Sequence, residues 1–321
     1  MTGLDCQRVA GLLQAWDDML VLCHASPDGD TLGAASALVR GLRALGKRAD
    51  LFCADPIDPK FHFLFAGLGR EHFTPAHILS VDVADPALLG EAEEAYAGCV
   101  ELAIDHHSSH KDFAQYQWVE PAAAACELVY RLLGALGAPI DKATADCLYT
   151  GVATDTGCFR YSNVTPGTLR VAAGLLELGA DAAAINRAMF ETKSRAQVQA
   201  ERLVMAGMRF SCGGRCALVQ VPQAIYRETG AREGELDGVA ALPRQIEGVL
   251  VGVTLKEKPD GTIKASLRSN PPASACAICE KFGGGGHTCA AGCSFSGITM
   301  EEAARRLEAA CQEHLRGLGP L

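Results

Sequence analysis

The first half of the chain alternates short apolar runs with stretches of helical periodicity. Residues 19–24 (MLVLCH) read as a buried strand. Residues 31–46 (TLGAASALVRGLRALG) follow with apolar positions at helical spacing and stop at Gly46. Strand-like runs recur at 49–54 (ADLFCA), 77–83 (HILSVDV) and 99–105 (CVELAID), separated by helical or loop segments. This alternation predicts an α/β unit with a doubly wound, mainly parallel sheet. From about 122 to 186 the pattern is mostly helical, and 194–209 (SRAQVQAERLVMAGMR) reads as one polar-rich helix. Beyond 211, the runs CALVQV, GVLVGVTLKE and TIKASLRS are followed by the loop FGGGGH and a last helix from about 299, a smaller α/β arrangement. Asp260-Gly261 between two of these runs is a hairpin signal.

A length of 321 residues exceeds what one hydrophobic core usually supports. The pattern divides into a first domain over 1–190, a helical connector over 191–210 and a second domain over 211–321. The N-terminal stretch reads as an amphipathic helix, not an export signal, and no apolar run approaches the length of a membrane span. A cytoplasmic protein without membrane association is expected. In that setting the fourteen cysteines read as reduced, mostly buried thiols. The formal net charge of -9 excludes a general nucleic-acid binder, which would carry a basic excess. A nucleotide ligand would therefore be short and held at a local positive site.

Acidic and histidine residues gather at predicted strand ends. His24, Asp28 and Asp30 follow the first strand, Asp82 the third, and Asp105-His106-His107 the fourth; Asp155 lies in GVATDTG. In open α/β sheets ligands bind at the carboxyl ends of strands. Each residue also has a plain structural reading, since an aspartate after a strand is commonly a turn or helix cap. Taken together, carboxylates with imidazoles and no thiolate suit manganese or a related divalent ion and argue against structural zinc. Two ions about 3.5–4 Å apart could share a bridging carboxylate and a hydroxide nucleophile.

The segments His24-Ala25-Ser26-Pro27-Asp28-Gly29-Asp30, Asp82, Asp105-His106-His107 and Gly151-Val152-Ala153-Thr154-Asp155-Thr156-Gly157 resemble, in order, the four motifs of the DHH phosphoesterase family. The resemblance implies one ion held by His24, Asp28 and Asp82 and a second by Asp30, Asp82, His106 and Asp155. Asp82 would bridge the two and would be catalytic together with His107, which would face the substrate phosphate or orient a ligand. Asp105 would support the ligands from behind. Two Mn2+ ions are implied, with Mg2+ as the alternative. Gly33-Ala34 departs from a Gly-Ser pair common in relatives, which removes a hydroxyl but no ligand.

In the second domain, GGGGHTCAAG (283–292) and SLRS (266–269) resemble the DHH-associated substrate-binding domain. Gly284, Gly285, Gly286, His287 and Arg268 are the implied phosphate-recognising residues; glycines admit close backbone approach, a helix N-terminus adds positive potential and arginine forks onto phosphate. Cys276-x2-Cys279 and Cys289-x3-Cys293, with His287 between, have zinc-like spacing, but buried thiols are the preferred reading. The compact two-domain organisation points to the branch that hydrolyses short oligoribonucleotides and adenosine 3',5'-bisphosphate. The alternatives are a soluble linear or cyclic dinucleotide phosphodiesterase, then an inorganic pyrophosphatase, then a non-catalytic nucleotide sensor. A homodimer is common for this resemblance.

Overall fold

The computed structural model describes residues 2–319 and forms two compact units, Met1–Thr192 and Lys193–Leu321. In the first, the strands are β1 (Thr2–Gly3), β2 (Met19–Leu22), β3 (Ala49–Phe52), β4 (His77–Val81), β5 (Leu102–Asp105) and β6 (Tyr116–Val119). They lie in the order β1-β6-β5-β4-β2-β3, and every pairing is parallel. The helices are α1 (Cys6–Ala15), α2 (Gly29–Ala44), α3 (Glu93–Tyr96), α4 (Ala125–Leu136), α5 (Lys142–Asp155), α6 (Pro166–Glu177) and α7 (Ala182–Asn186).

Alternation along β2 sends its side chains to two cores. Met19 and Val21 join a large cluster with residues of α1, α2, α4 and α5. Leu20 and Leu22 join a smaller one with Val83, Leu89, Val100 and Ala103. Burial on both faces explains why the strands read as continuous apolar runs. The short β6, with Trp118 buried, and the two-residue β1 carried no comparable signal.

Helices α2 and α5 approach at backbone distance. A Cβ on Gly33 of α2 would collide with the carbonyl oxygen of Cys147 on α5. One on Gly29 would strike the Thr154 side chain, and one on Gly151 would strike Cys126 Sγ and Asp30 Oδ1. These glycines bring the start of α2 against the end of α5, and with them Asp30 and Asp155.

The second unit contains α8 (Arg195–Ala206), β7 (Arg209–Ser211), β8 (Cys216–Val221), α9 (Gln223–Thr229), β9 (Val251–Glu257), β10 (Ile263–Ser269), α10 (Ala275–Cys279), β11 (Gly285–His287), β12 (Ala290–Phe295) and α11 (Met300–Gly317). Its sheet runs β11-β12-β10-β9-β8-β7, with β8 and β9 parallel and the remaining pairs antiparallel. The β9–β10 hairpin turns through Asp260-Gly261, where Gly261 has φ +82°. One sheet face packs on α10 and α11. On the other, Ala200 and Val204 of α8 meet Val219 and Val221.

Among the described residues no helix is long and apolar enough to cross a membrane. All fourteen cysteines are free; Cys23, Cys126, Cys147, Cys216, Cys279, Cys293 and Cys311 are buried.

A glycine-to-alanine change inside a helix normally stabilises by about 0.8–1 kcal/mol. Gly33→Ala should reverse that sign and destabilise by roughly 1–3 kcal/mol, because the obstacle is a backbone carbonyl rather than a flexible side chain. Urea unfolding midpoints of the two proteins check this; an unchanged or raised midpoint contradicts the close packing.

Candidate metal centre

The residues singled out from sequence in the first unit converge at the C-terminal edge of the parallel sheet. The segment after β2 carries His24 and leads into α2. Asp28 caps that helix: its Oδ1 accepts from the N–H groups of Asp30 (2.9 Å) and Thr31 (3.1 Å). The Thr31 hydroxyl donates to the Val81 carbonyl (3.2 Å) and accepts from the His24 N–H (3.3 Å), joining the ends of β2 and β4. Asp30 is fully buried at the N-terminus of α4, where the N–H groups of Ala125 (2.6 Å) and Cys126 (3.0 Å) donate to its two oxygens. Helix starts favour negative charge, so this partnership anchors a carboxylate that water cannot reach.

Asp82 follows β4 with φ +60°, a left-handed conformation that is uncommon outside glycine. Its N–H donates to the Ile104 carbonyl (2.9 Å), and its side chain is 3% exposed. Asp155 ends α5 beside it.

Three overlapping groups have ligand atoms close enough to share a cation: His24, Asp28 and Asp82; Asp30, His106 and Asp155; and Asp82, Asp105, His106 and His107. His24 Nε2 lies 3.7 Å from Asp28 Oδ1 and 3.6 Å from Asp82 Oδ2. His106 Nε2 lies 3.3 Å from Asp82 Oδ1, 3.5 Å from Asp155 Oδ2 and 3.7 Å from Asp30 Oδ2. The opposite nitrogens of both rings are committed, with His24 Nδ1 donating to the Ala25 carbonyl (2.8 Å) and His106 Nδ1 to that of Ala122 (3.1 Å). With Nδ1 committed, each Nε2 faces the carboxylates and is the nitrogen a cation would take once its proton is displaced. His106 Nε2 and Asp82 Oδ1 are buried without a hydrogen-bond partner. Buried polar atoms are rarely left so, and an imidazole nitrogen set among carboxylate oxygens fits a cation that displaces its proton. The oxygen and imidazole donor set suits Mn2+ or Mg2+ better than a thiolate-seeking ion.

Charge crowding shows in the titration of the same groups. Burial opposes protonation of His24 and His106. Their aspartate neighbours nevertheless win, pushing His24 up to about 11 and His106 up to about 10. Asp30 and Asp155 are raised, first by burial and then by their neighbouring carboxylates, Asp82 foremost for Asp30 and Asp30 for Asp155. Burial also pushes Asp28 upward, but His24 leaves it below its usual value. Asp105, at the end of β5, is held well below the carboxylate range despite burial, because His107 and His110 donate to it.

His107 Nδ1 donates to Asp105 Oδ1 (2.8 Å), and the side chain is 37% exposed. Its Nε2 is therefore the nitrogen left for a ligand. His110 is a functional candidate that the sequence reading missed; the spacing Asp105-His106-His107-x2-His110 was its signal.

In the second unit, Ala290 stands opposite Arg268 on β10 and opposite His287 on β11. Residues in one cross-strand row share a face, so Arg268 and His287 project from the same side of the sheet, two strands apart. Leu267, pointing the other way, is buried. The glycine run needs its lack of side chains: Cβ atoms on Gly284 and Gly286 would strike Gly292 and Ala290 carbonyls, and Gly286 has φ +144°. The run follows the C-terminal end of α10 and leads into β11 rather than into a helix, and the first residue of α10, Ala275, donates its N–H to the Thr288 carbonyl (2.7 Å) beside His287. The Gly283 and Gly284 N–H groups donate to the carbonyls of Glu280 (3.1 Å) and Cys279 (3.0 Å). Gly285 and Gly286 lie on an edge strand, which presents outward backbone groups.

The zinc-like cysteine spacing forms no cluster of three metal-ligating groups among the described residues. Cys279 and Cys293 share a thiol hydrogen bond, and Cys276 Sγ donates to the Gly286 carbonyl (3.1 Å).

Without a cation, the raised groups hold protons at neutral pH that a metal must displace. Divalent-ion uptake by the full chain should therefore release protons, and apparent affinity should rise from about pH 6, as Asp30 and Asp155 lose theirs, and still be rising at about pH 9, where His24 and His106 keep theirs. Calorimetry in buffers of different ionisation enthalpy measures this directly, and zero proton release at neutral pH would contradict the protonated cluster.

Comparisons with known proteins agree with this geometry. Residues 18–152 match the DHH family N-terminal domain, and residues 213–313 match the DHHA1 domain. The bifunctional oligoribonuclease and PAP phosphatase NrnA of Thermus thermophilus is 34% identical, over 98% of this chain and 95% of that protein. The protein of the same name from Bacillus subtilis is 25% identical, over 94% of this chain and 97% of its own length. The crystal structure of an exopolyphosphatase-related protein from Bacteroides fragilis superposes with a TM-score of 0.89 at 25% identity, covering 98% of this chain and 97% of that one. With both domain matches in order and a relative 34% identical over nearly its whole length, the chain belongs to the DHH family of phosphoesterases.

Proposed function

We propose that this chain hydrolyses short oligoribonucleotides and adenosine 3',5'-bisphosphate, using two divalent cations. The observation that carries the reading is the pair of buried, unpartnered atoms, His106 Nε2 and Asp82 Oδ1, at the meeting point of three ligand groups. His24, Asp28 and Asp82 would hold one cation, and Asp30, Asp82, His106 and Asp155 the other, with Asp82 shared. Mn2+ is the proposed ion. When bound, such a pair supplies an activated water at neutral pH and neutralises developing phosphoryl charge.

The remaining work falls to side chains of the protein itself. Asp105 fixes the His107 tautomer, so that Nε2 is presented to a phosphate oxygen. Arg268 and His287, on one face of the second sheet, supply a guanidinium fork and a hydrogen-bond donor for a terminal phosphate. The near full-length match to bifunctional relatives supports these two substrate classes. The acidic net charge fits substrates of a few nucleotides, whose binding does not depend on a long basic surface.

Asp82→Ala should lower turnover by more than about a hundredfold, beyond what loss of an outer-shell partner typically costs. The assay is Mn2+-dependent mononucleotide release from labelled RNA of about two to five residues, beside adenosine 3',5'-bisphosphate, a cyclic dinucleotide and pyrophosphate. Near-wild-type rates in the variant would remove Asp82 from the bridging position, and wild-type activity on pyrophosphate alone would move the protein to another branch. Arg268→Ala should raise KM about tenfold, in line with losing a charged hydrogen bond, while metal content stays constant. An unchanged KM would take Arg268 out of phosphate recognition.

A further inference from the structure

The two oxygens of the Asp105 carboxylate are committed to two different histidines. Oδ1 accepts from the backbone N–H groups of His106 (2.8 Å) and His107 (3.3 Å) and from the His107 ring at Nδ1 (2.8 Å). Oδ2 accepts from Nδ1 of His110 (2.7 Å). His110 is 4% exposed at its side chain and rests against the Phe113 ring, 5.3 Å between centroids. Its own N–H donates to the His107 carbonyl (3.2 Å), closing the turn on itself.

His110 is not one of the groups whose ligand atoms could share a cation. Its plain reading is a core histidine satisfied by a carboxylate. Against that, His110 Nε2 is buried with no partner. Such burial is costly, and an apolar ring beside Phe113 would avoid it. What the imidazole adds is a second anchor on Asp105. The terminal torsion of an aspartate is broad, so a carboxylate held through one oxygen can turn. Held through both, it is fixed in plane, and so is the hydrogen bond it accepts from His107.

The alternative partner for His107 is close at hand. Asp82 Oδ1 lies 3.5 Å from the same Nδ1. If Asp105 turned away, that N–H would pair with Asp82, the carboxylate proposed to be shared between the cations. We infer that His110 is a positioning residue: acting through Asp105, it holds the His107 ring off Asp82 and keeps His107 Nε2 directed at the substrate phosphate. The last clause rests on the proposed phosphoester hydrolysis; the placement of the His107 proton does not.

The test compares substitutions that differ in where a donor sits. The amide nitrogen of asparagine falls near the position of imidazole Nδ1, that of glutamine near Nε2. In the full-length, Mn2+-loaded enzyme, His110→Asn should keep kcat on short RNA within a few fold of wild type. His110→Gln and His110→Phe should each lower it by about ten- to a hundredfold, the usual effect of an outer-shell partner, with a smaller change in KM. A second readout uses 15N-histidine-labelled, metal-free protein. The His107 Nδ1 proton, assigned by its disappearance in His107→Gln, should be downfield and slow to exchange in wild type and His110→Asn, and shifted or lost in His110→Gln. If Asn and Gln variants behave alike in both readouts, or His110→Gln leaves the His107 proton unmoved, the positioning role is wrong. Should the wild type cleave neither short RNA nor the bisphosphate, the functional reading fails, and the proton spectra still decide the placement of His107. A phenylalanine variant that does not fold leaves the Asn–Gln contrast to decide.

Discussion

Mutual repulsion among Asp28, Asp30, Asp82 and Asp155 is the constraint around which the first unit is organised. Four carboxylates, two of them almost entirely buried, face two imidazole nitrogens within a few ångströms. Ionised together in a low-dielectric setting they would be strongly destabilising. The protein meets that cost in two ways. Backbone N–H groups at helix starts neutralise part of the charge, those of α2 for Asp28 and those of α4 for Asp30. Protons held by His24, His106, Asp30 and Asp155 neutralise more.

Holding such a cluster requires a scaffold stiff enough not to relax apart. The parallel sheet delivers His24, Asp82 and the Asp105-His106-His107 segment from adjacent strand ends. The glycine-lined contact of α2 with α5 delivers Asp30 and Asp155 from the helical side. Neither element would suffice alone, since the groups His24–Asp28–Asp82 and Asp30–His106–Asp155 each mix contributions from different parts of the chain. The left-handed backbone at Asp82 belongs to the same compromise. Local strain is retained where it aims a carboxylate.

Behind these groups lies another ring of hydrogen bonds that settles proton positions. The Ala25 and Ala122 carbonyls fix which nitrogen of His24 and His106 is bare. Asp105 does the same for His107 and is itself held by His110. In the second unit the corresponding economy is in the sheet. One register row places Arg268 and His287 on one face, while the opposite face is filled by the apolar core under α10 and α11.

Much of this architecture was legible in the chain. Apolar runs bounded by Asp, His and Gly marked β2, β3, β4 and β5, because strands buried on both faces have no polar alternation to disguise them. The residues that gather at the sheet edge could be named since carboxylates and imidazoles follow successive strands in motifs resembling those of the DHH family. The hairpin at Asp260-Gly261 followed from the backbone freedom of glycine. Tertiary structure alone decided the rest. The edge strand β1 has only two residues, too few to show a pattern, and β6, an inner strand of sequence Tyr-Gln-Trp-Val, lacks a continuous apolar run. The glycine run forms β11 and not the approach to a helix, because its neighbours across the sheet, Gly292 and Ala291, supply backbone partners that no local propensity reveals. The tautomers of His24, His106 and His107, and the part played by His110, depend on which carbonyl or carboxylate lies within about 3 Å. That distance is set by packing between elements far apart in sequence.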